Sequence, residues 1–195
     1  MHRMLRIALV AAAAAFSPIT HAAQITPSRF YAGVSVGPSF ETGYNPNAAF
    51  KVSAGYEILK YLAVEGEAGF LGKLRATLAP GQTMTDESYA AAVMAVGRLP
   101  IDEHNVVYGK VGMGIFHDIT TIRDSAGSIY CPGCTTDFYT SSSNTDWGPV
   151  LGAGYQHRFA TRNGRAAWLP DALRVEAQAY SNDVDILDVG VIYNF

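Results

Sequence analysis

A chain of 195 residues makes one domain the default, and 14 basic against 17 acidic residues with no run of like charge exclude a nucleic-acid-binding arm or an acidic tail. An apolar share of 49% excludes a disordered chain.

The first element is a leader. "MHRMLRIALVAAAAAFSPITHAAQ" has a basic start (Arg3, Arg6), an apolar run from Ile7 to Phe16, and a small-residue site around Thr20-His21-Ala22. That layout predicts a secretory signal peptide over residues 1–22, with cleavage after Ala22 or Ala23. The apolar run is too short to span a bilayer as a helix, which needs about 20 residues.

The remaining pattern has a period of two, the mark of strands with different environments on their two faces. Near 30–40, Phe30, Ala32, Val34 and Val36 oppose Tyr31, Gly33, Ser35 and Gly37. Near 49–58, Phe50, Val52, Ala54 and Tyr56 oppose Lys51, Ser53, Gly55 and Glu57. Near 61–71, Leu62, Val64, Ala68 and Phe70 oppose Glu65, Glu67 and Gly69. The Ala-rich stretch near 88–99 has no clear parity, although Arg98 favours one choice. Near 105–117, Val107, Val111, Met113 and Ile115 oppose Tyr108, Lys110 and Gly112.

The segment 118–145 is too polar to cross a membrane, yet it has strand-like content on both sides of Cys131 and Cys134. A hairpin extending the fifth and sixth strands is the expectation. Within C-P-G-C, Pro132 suits the first central position of a β-turn and Gly133 supplies the positive φ of the second. An exported chain meets an oxidising compartment, so a Cys131–Cys134 disulfide at the loop tip is predicted. A redox couple would need a βαβ context. A structural zinc would need further ligands, with His117 the nearest contributor.

Near 146–159, Trp147, Leu151, Ala153, Tyr155 and Phe159 oppose Gly152, Gly154, Gln156 and Arg158. "LRVEAQAY" sets Leu173, Val175, Ala177 and Ala179 against Arg174, Glu176, Gln178 and Tyr180. The closing "ILDVGVIYNF" puts Leu187, Val189, Val191, Tyr193 and Phe195 on one face. Eight antiparallel strands with short turns at one end and longer loops at the other predict an all-β, up-and-down transmembrane β-barrel, domain residues 23–195. The loops fall near 41–48, 72–87, 118–145 and 181–185. Aromatic residues cluster at both predicted rims: Phe30, Tyr56, Tyr61, Phe159, Tyr193 and Phe195 at one, Phe40, Phe50, Phe70, Tyr89 and Trp147 at the other.

The inward face carries Lys51, Arg98, Lys110, Arg158 and Arg174 against Glu57, Glu65, Glu67, Glu176 and Asp188. An eight-stranded barrel has room only for its own side chains, so a balanced ion-pair network is the expected filling. A soluble ligand-binding barrel would need these faces reversed.

"LRVEAQAYS…DILDVGVIYNF", "FYAGVSVGPSF" and "VSAGYEILKYLAVEGEAGF" resemble the OmpA-like and opacity-protein class of small outer-membrane barrels. The resemblance implies an outer-membrane location. It also implies that Tyr193 and Phe195, in the final aromatic strand, signal to the outer-membrane assembly machinery. The expected role is a non-enzymatic surface barrel, envelope-structural or adhesive, with no cofactor or metal. Its expected partners are outer-membrane lipid including lipopolysaccharide and a host or surface partner at the loops; the expected state is a monomer. Two alternatives stand: a narrow pore for small solutes, and a lipid-modifying enzyme. The enzyme would draw on His117 with Asp118 and Ser181 or Ser143. His104 is not joined to them by any motif, and His157 is predicted to face lipid at the opposite end.

Overall fold

The computed structural model describes residues 30–41, 44–126, 133, 135–159, 169–181 and 183–195. The predicted leader and both cysteines of the predicted disulfide lie outside the described residues. Eight strands form one closed antiparallel barrel in chain order. They are β1 (Phe30–Phe40), β2 (Asn47–Leu59), β3 (Leu62–Ala79), β4 (Gln82–Pro100), β5 (Asn105–Asp124), β6 (Phe138–Arg158), β7 (Ala172–Tyr180) and β8 (Asp185–Asn194). The seam pairs β1 with β8, Val34 opposite Val191, and Phe195 N–H donates to the Phe30 carbonyl at 2.9 Å.

Burial is inverted relative to a water-soluble protein. Val36 is 59% exposed, Val93 64% and Val111 57%, while Lys51, Glu65, Lys110 and Glu176 are buried. Alternation on every strand produces this, because successive side chains point to opposite faces. A lipid-facing exterior needs apolar side chains, and only a closed sheet satisfies its backbone there. No helix among the described residues is long and apolar enough to cross a membrane.

Exposed aromatics mark the two rims. Phe30, Tyr61 and Phe195 ring the end where the described chain begins and finishes, the terminal end; Phe40, Phe50, Tyr89 and Trp147 ring the other. At the terminal end β2 and β3 turn at Lys60-Tyr61. The β4–β5 turn is held by Asp102, whose Oδ1 accepts the amides of His104 and Asn105, each at 2.8 Å.

The strands differ in length. β1, β2, β7 and β8 have 11, 13, 9 and 10 residues, close to the 9–11 that cross a bilayer when tilted. β3 to β6 have 18 to 21 and continue as a four-stranded sheet beyond the rim. The predicted hairpin extension of β5 and β6 is present, pairing through Asp124 opposite Phe138.

Residues 72–87, read from sequence as a loop, are strand instead. Lys73 pairs with Glu87 and Thr77 with Thr83 across a tight Pro80-Gly81 turn. A β-bulge between Phe70 and Gly72 hid this. Gly72 has φ +133, and the extra residue reverses the parity, so that Leu71 and Leu74 are both buried. The stretch 88–99 resolves with Ala92, Met94, Val96 and Arg98 inward.

Candidate functional site

Two regions carry chemistry: the lumen and the sheet above it. In the lumen, Lys51 Nζ lies 3.0 Å from Glu176 Oε1 and 2.7 Å from Asp188 Oδ2. Lys110 is ion-paired to Glu65 and lies 2.6 Å from Glu176 Oε2, with Glu67 at 3.9 Å. Arg174 Nη1 donates to Glu65 Oε2 at 2.9 Å. Nearer the terminal end, Arg98 pairs with Glu57, with Arg158 3.9 Å from the same carboxylate. The ten inward charges read from the sequence therefore meet in two separate groups, seven around Lys110 and three around Glu57; the side chain of Arg158 alone stays 36% exposed.

Sequence parity placed Tyr31, Tyr108, Gln156, Gln178 and Tyr180 inward without assigning them to the network. Tyr31 OH donates to Glu65 at 2.7 Å, Tyr108 OH to Glu176 at 2.7 Å and Tyr180 OH to Glu67 at 2.8 Å. Gln178 Nε2 donates to Glu67, and its Oε1 accepts from Lys51. Arg174 reaches Gln156 Oε1 at 3.3 Å and lies over the Tyr108 ring, 4.8 Å from its centroid. These neutral donors and acceptors engage oxygens and hydrogens that the ion pairs leave over, which a buried charge requires.

Apolar clusters flank the charged layer above and below. Leu71, Leu74, Phe116, Val150, Tyr180 and Val184 pack together near the long-strand end, with Tyr44 of the β1–β2 loop against them. Tyr31, Val96, Tyr108, Ala172 and Ile192 pack near the terminal end. Between them a cavity of about 20 Å³ remains, bounded by Lys51, Glu67, Arg174 and Asp188, room for about one water-sized body.

The sheet above the rim is mostly polar, with Leu78, Phe138 and Tyr139 among its exposed residues. Every residue from Phe138 to Trp147 is exposed. Arg123 holds Asp137 through Nε at 2.9 Å and through Nη2, and Asp137 Oδ1 accepts the Ala126 amide at 3.1 Å. That amide first, and then the guanidinium, keep the Asp137 carboxyl below its usual range. At the mouth, partial burial pushes the Glu41 carboxyl up to about 7, with Asp86, Asp118 and Asp183 adding repulsion.

The residues of the enzyme alternative are not assembled. His117 is on the exposed outer face, its Nδ1 2.8 Å from Thr145 Oγ1. Asp118 is on the inner face, where its carboxylate accepts from buried Ser88. Ser143 shares the outer face with His117 but is paired with Ile119, while Ser181 lies against Gly148 on the lumen side. His104 and His157 stack at 6.2 Å at the opposite end, where His157 Nδ1 lies 2.9 Å from Asn105 Oδ1. Among the described residues no group of His, Cys, Asp and Glu is arranged to hold a metal ion.

An eight-stranded barrel with an apolar exterior, aromatic rims and a charged, filled lumen is an outer-membrane β-barrel. The chain belongs to the outer membrane protein beta-barrel domain family, whose model matches residues 8–195, and the protein is located in the bacterial outer membrane. Solved structures with a similar fold include Ail, the attachment invasion locus protein of Yersinia pestis, 18% identical with a TM-score of 0.45. Neisserial surface protein A is 15% identical with a TM-score of 0.46. The N-terminal β-barrel domain of Pseudomonas aeruginosa OprF is 10% identical with a TM-score of 0.44. Each alignment covers 85% of this chain and 97% of the other. No curated relative matches the chain.

Proposed function

We propose that the protein is a non-enzymatic surface barrel whose lumen is plugged and whose working surface is the sheet formed by β3 to β6 above the rim. The observation that carries this is the length contrast: four strands stop near the rim and four continue as a paired sheet with exposed, mostly polar faces. Ordering those extra residues costs about 1–2 kcal/mol each in backbone entropy. Contact with a partner outside the cell gives that ordered surface a use. The ion-paired lumen between two apolar clusters supports a plug rather than a path for solutes.

In this reading the long-strand end faces outward, among lipopolysaccharide, and the terminal end faces the periplasm. Phe195 and Tyr193 serve the assembly machinery from the closing strand, the barrel works as a monomer, and a Cys131–Cys134 bridge clips the tip of the third loop. The test shortens the two hairpins to the rim, removing residues 72–87 and 118–145 with short turns in their place. The shortened chain should keep its heat-modifiable migration in an outer-membrane fraction and lose attachment of expressing cells to host-cell or matrix surfaces. Attachment equal to that of the full chain overturns the proposal. Removing Phe195 should reduce the amount assembled in the outer membrane; unchanged assembly removes its signalling role. Alkylation of the unreduced protein should find no free thiol.

A further inference from the structure

The β1–β2 loop is strapped to the sheet above the rim. At the β3 edge Asn45 N–H donates to the Arg75 carbonyl at 3.3 Å, and Asn47 Nδ2 donates to the Lys73 carbonyl. A further tie crosses to β4, where the Tyr44 hydroxyl donates to Met84 Sδ at 3.7 Å. Behind that contact the Tyr44 ring packs against the upper apolar cluster. These ties are unequal, because a carbonyl oxygen is a good acceptor and a thioether sulfur a weak one. Tyr44 is half-buried, and among the described residues the Met84 sulfur is the one hydrogen-bond partner of its hydroxyl. The neighbours of Met84 across the ladder, Ala76 on β3 and Ile122 on β5, bring no polar side chain. A half-buried phenol is thus left with one of the poorest acceptors that a side chain supplies.

The same sulfur is the one most open to chemistry from water. The chain has five methionines, of which Met1 and Met4 fall in the predicted leader. Met94 is 1% exposed inside the lumen, where Gln178 Nε2 lies 3.6 Å from its sulfur. Met113 is 53% exposed, but on the apolar face that meets lipid, where a polar oxidant is scarce. Met84 stands on the part of β4 beyond the rim, half-buried, between Thr83 and Thr85. Oxidation of a thioether follows its access to the oxidant, so position alone singles out Met84.

We propose that Met84 is a modification site, oxidised to the sulfoxide by peroxide-class oxidants from outside the cell, and that the sulfoxide tightens the strap through Tyr44. A sulfur lone pair attacks one oxygen of hydrogen peroxide. The S–O bond forms as the O–O bond breaks, the sulfur gives up two electrons, and the departing hydroxide takes the proton of the transferred oxygen and leaves as water. The new oxygen is a strong acceptor beside the Tyr44 hydroxyl, which exchanges its bond to sulfur for a bond to oxygen. The inference rests on the outward orientation of the long-strand end proposed above, and it gives that surface a chemical sensitivity as well as a shape.

The full chain in micelles is treated with dilute hydrogen peroxide and its peptides are mapped by mass spectrometry. Met84 should convert first, roughly tenfold faster than Met94 or Met113. At one fixed pH, amide exchange at Tyr44 and Asn45 should then slow roughly three- to tenfold, the factor of one strengthened hydrogen bond. Tyr44→Phe should leave Met84 oxidation as it is and abolish the slowing, and Met84→Leu should make the loop indifferent to peroxide. Earlier conversion of Met94 or Met113 overturns the site. Exchange that is unchanged or faster after oxidation, or slowing that persists in Tyr44→Phe, overturns the strap. In intact cells Met84 should also be oxidised by an N-chloramine coupled to a dextran too large to cross the outer membrane. Failure in micelles overturns the oxidation site alone; oxidation in micelles with protection in those cells overturns the external oxidant and the outward orientation on which it rests.

Discussion

Gly55 and Gly154 show how single residues set the lumen. Each leaves the space in which a neighbouring tyrosine lies: a Cβ on Gly55 would fall inside the Tyr31 ring, and one on Gly154 would meet the Tyr108 hydroxyl. Both tyrosines end in hydrogen bonds to network carboxylates. Gly55→Ala should therefore displace the Tyr31–Glu65 bond and cost about 1–3 kcal/mol in urea unfolding from lipid or micelles. Lys110→Met strips Glu65 and Glu176 of a shared cation and should cost about 3–5 kcal/mol in the same measurement. At this scale the sequence was informative, because alternation alone assigns Lys51, Glu65, Lys110 and Glu176 to one face. It does not say which charge meets which. Arg174 and Glu65 are 109 positions apart, and only closure of the barrel brings them together.

Individual strands carry the lesson about what alternation misses. β1, β7 and β8 keep a strict period of two, and their ends were readable to within a residue or two. The period fails in β3 at Gly72, where one extra residue reverses every side chain beyond it, so a paired strand resembled a loop. Above the rim both faces meet water, so β4, β5 and β6 mix polar residues with a few apolar ones, such as the Met84–Ile122 pair, and keep no strict alternation to reveal them. The loop from Phe40 to Asn47 bears a pH dependence. Burial and three aspartates raise the Glu41 carboxyl from its ordinary 4.5 to about 7, so between those values the folded state holds a proton that the unfolded chain releases. Stability and protection of this loop should then fall as pH rises from about 4.5 to 7. Glu41→Gln should flatten the change. Amide hydrogen exchange at Tyr44 and Asn45 after correction for intrinsic rates, at the two ends of that range, is the check.

Across the whole molecule, the proposed plug is redundant. Two apolar clusters and the ion-paired layer between them lie in series along the lumen, so on that proposal no single truncation should open it. Phe116→Ala is expected to cost about 3–5 kcal/mol and still give no steady conductance in planar bilayers. A conducting Phe116→Ala barrel would locate the whole seal in the upper cluster. The barrel class was legible because membrane and lumen impose opposite demands on alternate residues, whereas the identity of a partner leaves no such periodic trace. The seam between β1 and β8 has a further effect, in time. Its first register pairs join Tyr31 to Asn194, so the bonds that close the barrel below the rim unite the two ends of the described chain. Neighbouring hairpins can pair as soon as both their strands exist; this junction must await the last strand and bring ends more than 160 residues apart together, the slowest kind of contact to make. Until then the sheet has two raw borders, and the interval before they meet is when the nascent barrel most needs a chaperone or a template strand.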